Sequence, residues 1–123
     1  IDNSHRPFFF FFCTKTRDFC FVDNVVQANL LAASDPRKQF HGEAFNVAQG
    51  SSHSMLECKN LIEDITGIKL DLEIRPNRIG DVSHTLADIF STQQQLGYKP
   101  STDFEAQVRS MCDWYKNYYA IHG

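Results

Sequence analysis

The sequence lacks a glycine-rich phosphate turn: its six glycines, at 42, 50, 67, 80, 97 and 123, form no GxGxxG. That fingerprint lets a helix start approach a pyrophosphate closely, so its absence excludes a self-contained dinucleotide site. No tyrosine is followed four residues later by lysine, which removes the proton-handling pair that a complete short-chain dehydrogenase requires. Neither a Ser-His-Asp arrangement nor a P-loop has support. The four cysteines, Cys13, Cys20, Cys58 and Cys112, include no CxxC and read as reduced thiols. The five histidines offer no HExxH, so no metal site is expected.

Positive charge is also scarce. Twelve lysines and arginines face 15 acidic residues, and the net charge of -3 argues against nucleic acid as a partner. The longest apolar run contains Phe8 to Phe12, far short of the roughly 20 residues that span a bilayer and of a secretory leader. No membrane partner is expected, and a cytoplasmic location follows.

What is present suits one domain of modest core, since 123 residues with 42% hydrophobic content leave no room for a second. A start at Ile1 instead of methionine suggests a truncated chain. Residues 1–14 have no clear period, and the phenylalanine run reads as a buried strand or as disorder. Phe19–Val22 is expected to be a strand, followed by a helix from Asn24 to Ala33 capped by Asp23, with Val22, Val26, Leu30 and Ala33 on one face. Ala44–Ala48 reads as a short strand with Asn46 as a satisfied buried amide, leading into the loop Gln49-Gly50-Ser51-Ser52-His53.

Ser54 and Glu57 form a capping box for a helix carrying Met55, Cys58, Ile62 and Ile65 on one face, and Gly67 stands where a left-handed cap ends it. Leu70–Ile74 alternates as a half-exposed strand. Asp88 is placed to cap a short helix ending at Leu96-Gly97. Thr102 with Glu105 is expected to open a last helix to about Tyr119, with Phe104, Val108, Met111, Tyr115 and Tyr118 on its core face. The order is α/β, and strands joined by helices are expected to pair in parallel. Three short strands make a sheet that looks like part of something larger.

Chemistry is most legible in loop arginines. Arg17 precedes an expected strand, and Arg78 lies in Arg75-Pro76-Asn77-Arg78-Ile79-Gly80-Asp81, where a glycine allows close backbone approach. A guanidinium fork matches phosphate oxygens, with about 1.5–3 kcal/mol per charge-assisted contact. On composition alone a surface ion pair is the more ordinary role for Arg17, a solvated loop position for Arg78, a turn cap for Asp81, and solvent exposure for His84. The cluster Trp114, Tyr115, Tyr118 and Tyr119 has helical spacing, which favours core packing over base stacking.

The string from Arg17 through Asp18, Val22, Asp23 and Asn24 to Leu30-Leu31-Ala32-Ala33 resembles the segment that follows the substrate loop in extended short-chain dehydrogenases/reductases. It is most similar to the UDP-N-acetylglucosamine 4-epimerases of bacterial surface-polysaccharide synthesis. Phe45-Asn46-Val47-Ala48, the run from Arg78 to Ile89, and Leu96-Gly97-Tyr98-Lys99-Pro100 with Trp114-Tyr115 agree in the same order. Residues 1–14 lie outside the family pattern, and 15–123 correspond to its sugar-nucleotide-binding C-terminal domain.

The resemblance implies the C-terminal portion of a Rossmann-type fold whose cofactor half is not in this sequence. It implies that Arg17 and Arg78 hold the diphosphate of a UDP-sugar, of the UDP-N-acetylglucosamine or UDP-glucose type, and that Asp81 contacts its ribose. The family inverts C4 through a 4-keto intermediate with tightly held NAD, usually as a homodimer. By this reading the chain carries no catalytic and no NAD-binding residue of its own. Two alternatives stay open: a non-catalytic UDP-sugar-binding or interaction module, and the same half of a nucleotide-sugar dehydratase or uronate epimerase.

Overall fold

The computed structural model describes residues 9–11, 15–34, 40–74 and 80–122. They form β1 (Phe9–Phe11), β2 (Thr16–Arg17), α1 (Val22–Ser34), β3 (His53–Ser54), α2 (Met55–Thr66), β4 (Leu72–Ile74), α3 (Phe90–Leu96) and α4 (Phe104–His122). Two compact units share these elements, each discontinuous in sequence.

The first unit takes residues up to Thr16, His53–His84 and the chain from Asp103 onward, as far as these are described. Its α2 begins as the capping box requires: Ser54 Oγ accepts the Glu57 amide at 3.0 Å and Glu57 Oε2 accepts the Ser54 amide at 3.4 Å. Gly67, at φ 71°, ends the helix in the left-handed region, where a Cβ would be strained. One face of α4 buries Phe104, Gln107, Val108 and Cys112, and α4 packs against α2. His53 stacks on Phe104 with ring centroids 4.0 Å apart. The phenylalanine run supplies β1, which pairs in parallel with β4 in the register Phe9 to Leu72, Phe10 to Glu73 and Phe11 to Ile74.

Glu63 organises the end of α2. Its carboxylate meets Lys59 Nζ at 2.8 Å and Lys69 Nζ at 3.4 Å, and it accepts the Leu70 amide at 2.7 Å. The Lys59 hydrogen bond, followed by the one from Leu70, pulls its carboxyl down to about 2.

The second unit comprises Arg17–Ser52 and Thr85–Thr102. Ala28, Leu96 and Tyr98 form its core, with Leu31, Phe40, Phe45, Val47 and Ile89 packed around them. Tyr98 is only 1% exposed and its hydroxyl donates to the Ala48 carbonyl at 2.7 Å. Burial, foremost, together with the nearby Cys20 and Asp18, pushes its phenol up to about 12.

Side chains of α1 hold the extended segment after α3 as a neighbouring strand would. Asn24 donates to the Ser101 carbonyl at 3.1 Å and accepts the Ser101 amide at 2.9 Å, and Gln27 does the same for Lys99 at 3.0 and 2.9 Å. Each amide side chain thereby satisfies a backbone donor and acceptor that no sheet reaches.

Several expectations change. Phe19–Phe21 form no strand, and the helix begins earlier, at Val22, so Asp23 lies in its first turn instead of capping it. The stripe Val22, Val26 and Leu30 faces solvent, while Asn24 and Ala28 are buried, because small Ala28 and hydrogen-bonding Asn24 permit close approach to the core. Ala44–Ala48 is irregular and Asn46 is exposed, its Nδ2 donating to the Asp88 carbonyl at 3.1 Å. Asp103, not Thr102, caps α4, its Oδ1 accepting the Ala106 amide at 2.9 Å. Trp114, Tyr115, Tyr118 and Tyr119 are exposed and stack on one another, with Trp114 and Tyr118 centroids 5.0 Å apart. The core face of α4 thus ends at Cys112.

Candidate functional site

The basic and acidic candidates are placed by different pieces of the chain. Arg17 closes β2 and opens the second unit, while Asp81 belongs to the first. Arg78, with Arg75 to Ile79, lies outside the described residues.

Asp18 anchors the backbone that carries Arg17. Its carboxylate accepts three backbone N–H groups, from Gln49 at 2.9 Å, Gly50 at 3.1 Å and Ala87 at 3.3 Å. Its own amide donates to Thr85 Oγ1 at 3.4 Å. One carboxylate thereby ties together the end of the Phe45–Ala48 segment, the loop after it and the Thr85–Ala87 stretch, with charge-assisted bonds roughly twice as strong as neutral ones.

Gly50 has a backbone reason for its identity. It sits at φ 75°, and a Cβ there would stand 2.8 Å from Ile89 Cδ1, so a side chain would be strained and would collide.

In the first unit Lys15 is 4% exposed and its Nζ meets Asp81 Oδ2 at 2.5 Å. A buried ammonium requires such a counter-charge. The ion pair fixes the Asp81 carboxylate beside Thr16, whose amide donates to the Ser83 carbonyl at 3.0 Å and whose Oγ1 lies 2.9 Å from His84 Nδ1. His84 itself is exposed.

Cys20, Cys58 and Cys112 are free thiols, and desolvation raises all three above the ordinary cysteine range. They are poor nucleophiles at neutral pH. Among the described residues no group of three or more metal-ligating side chains converges, and no helix is long and apolar enough to cross a membrane.

Sequence reasoning missed Asp18 as the anchor and Lys15 as the partner of Asp81. The adjacency of Arg17 and Asp18 was a usable signal for the first. Lys15 had none, because its partner is 66 residues away.

These elements define a mixed α/β chain that is part of a Rossmann-type short-chain dehydrogenase/reductase fold, as solved structures show. The chain superposes with a TM-score of 0.79 and 25% identity on UDP-glucuronic acid 4-epimerase from Bacillus cereus in complex with UDP-glucuronic acid and NAD, covering 91% of this chain and 35% of that one. It superposes with a TM-score of 0.76 and 29% identity on UDP-N-acetylglucosamine 4-epimerase from Methanobrevibacter ruminantium M1 in complex with UDP-N-acetylmuramic acid, covering 94% of this chain and 36% of that one.

In sequence it is 30% identical to UDP-glucuronate 4-epimerase 3 of Arabidopsis thaliana over 86% of this chain, which spans 27% of that relative's length. A profile of the NAD dependent epimerase/dehydratase family matches residues 12–48. The chain is similar to members of that family over most of its own length and spans about a quarter to a third of the length of these relatives.

Proposed function

We propose that the chain is the sugar-nucleotide-gripping, C-terminal part of a UDP-sugar 4-epimerase, with Arg17 and Arg78 on the diphosphate and Asp81 on the ribose. The observation that supports this most is the match of nine tenths of the chain to 4-epimerase structures whose bound molecules are UDP-sugars. Local geometry supports it too. The three amides on Asp18 tie down the backbone next to Arg17, and Lys15 holds the Asp81 carboxylate through Oδ2. A bidentate arginine contact depends on such preorganisation.

Within this proposal NAD is held by the rest of the enzyme, since no described helix start offers a glycine turn to its pyrophosphate. No glycine immediately precedes α1, α2, α3 or α4, and Gly67 and Gly97 stand at helix C-termini, where carbonyls instead of amides point outward. Hydride transfer at C4 therefore belongs to the remaining length of such an enzyme. The exposed stripe Val22, Val26 and Leu30 supports a longer fold that covers it. A homodimer and a cytoplasmic location are part of the same proposal.

Calorimetric titration of the chain with UDP tests the grip. Binding that is lost in Arg17→Ala and in Arg78→Ala is expected, whereas binding equal in all three proteins overturns the assignment. Interconversion of UDP-sugar epimers by the purified chain with added NAD would overturn the division of labour.

A further inference from the structure

Lys15 and Asp81, both in the first unit, share an ion pair but not an environment. The lysine side chain is 5% exposed and the aspartate side chain 30%, with Nζ and Oδ2 at 2.5 Å. A molecule arriving from solvent therefore reaches the carboxylate and not the ammonium. Lys15 is too deep to serve as a further cation on a phosphate, and its influence on a bound molecule passes through Asp81.

The backbone sets this arrangement from two sides. The Lys15 carbonyl accepts the Met55 amide at 3.2 Å, which ties it to the first residue of α2. The next residue, Thr16, donates its amide to the Ser83 carbonyl at 3.0 Å and pairs in parallel with His84. Its Oγ1 lies 2.9 Å from His84 Nδ1. The two segments are thereby held in register beside the ion pair, although 66 residues of sequence separate Lys15 from Asp81.

We propose that Lys15 is the positioning residue for Asp81: its buried Nζ holds Oδ2, so that the carboxylate meets the ribose in one orientation and with its charge already balanced. The inference rests on the ribose contact proposed above for Asp81. A carboxylate free to rotate would lose side-chain freedom on binding, and the ion pair removes that cost beforehand. Charge balance matters as well. The ribose of a UDP-sugar is bonded directly to the diphosphate, which an unpaired carboxylate at the ribose would repel.

The test is calorimetric titration of the 123-residue chain with UDP and with 2′,3′-dideoxy-UDP, which keeps the diphosphate and lacks both ribose hydroxyls. The unaltered chain should prefer UDP by about tenfold or more, as a charge-assisted hydrogen bond provides. Lys15→Met should bring that ratio to within about twofold of unity and weaken the dideoxy nucleotide as well, through repulsion. Lys15→Met combined with Asp81→Asn removes both charges, so it should restore the affinity for the dideoxy nucleotide while the ratio stays near unity. A role in stability alone would lower the thermal midpoint of Lys15→Met and leave the ratio intact. Equal or absent binding of the two nucleotides by the unaltered chain overturns the ribose contact of Asp81, and this inference with it. Discrimination retained in Lys15→Met overturns the role of Lys15 and leaves the ribose contact standing. If Lys15→Met does not fold, the Nζ resonance of Lys15 in the unaltered chain, labelled with ¹⁵N-lysine, decides: it should shift with UDP and not with the dideoxy nucleotide, and equal shifts with both overturn the proposal.

Discussion

The Asp18 carboxylate accepts the Gln49 amide at 2.9 Å across 31 residues of sequence, and this bond joins the Arg17 strand end to the loop after Ala48. The same carboxylate holds Gly50 and Ala87, so a single side chain replaces the sheet contacts that this segment lacks. Asp18→Ala is therefore expected to destabilise the fold by about 2–3 kcal/mol, since it orphans amides bonded to a charged acceptor. Urea denaturation measures this. A loss below about 0.5 kcal/mol would mean that the three bonds are not a structural hub.

Tyr98 offers a second check on the same unit. Tyr98→Phe removes the hydroxyl that satisfies the Ala48 carbonyl and is expected to cost about 1–2 kcal/mol. Its phenol, raised to about 12 from 10.0, binds its proton more tightly when folded, so its contribution is complete below pH 10 and declines as pH rises toward 12. Stability curves of the unaltered chain and Tyr98→Phe should converge across that range.

Glu63 gives the opposite pH dependence. With its folded carboxyl at about 2 against 4.5, the contribution is present above pH 4.5 and is lost as pH falls toward 2. Glu63→Gln should flatten the acid limb of the stability profile in that window and leave the neutral-to-alkaline shape unaltered. An acid limb as steep in the variant would assign acid sensitivity to other carboxylates.

Thiol chemistry tests the burial of the cysteines. Desolvation raises Cys20, Cys58 and Cys112, so in the folded chain each should react with a thiol reagent at pH 7 several-fold more slowly than in denaturant. Mass mapping of labelled peptides reads the rate at each position. Equal folded and unfolded rates at Cys112 would contradict its packing against the first unit's core.

What the sequence made legible follows interaction range. The α2 caps, Ser54-Glu57 and Gly67, depend on residues within one turn, and both are as read; so is the end of α3 at Gly97. The strand expected at Phe19–Val22 failed because β-branched and aromatic content shows that a segment packs well, not that a partner strand lies beside it: Phe19–Phe21 are irregular and Val22 opens α1. The exposed faces of α1 and of the last turns of α4 could not be read, since a hydrophobic stripe shows that a face is apolar and not what covers it. Loop position singled out Arg17 and the segment that ends at Asp81, while the ligand role proposed for them came from motif resemblance alone. The partners that hold their surroundings, through Asp18 and Lys15, are long-range pairs that no local pattern reports.

The measurement closest to the central claim is the affinity of the chain for UDP as a function of Arg17 and Arg78. Each arginine–phosphate contact contributes about 1.5–3 kcal/mol, so each alanine variant should weaken UDP about 10- to 150-fold and the pair should abolish measurable binding. UDP affinity that is unchanged by both substitutions would contradict the diphosphate grip.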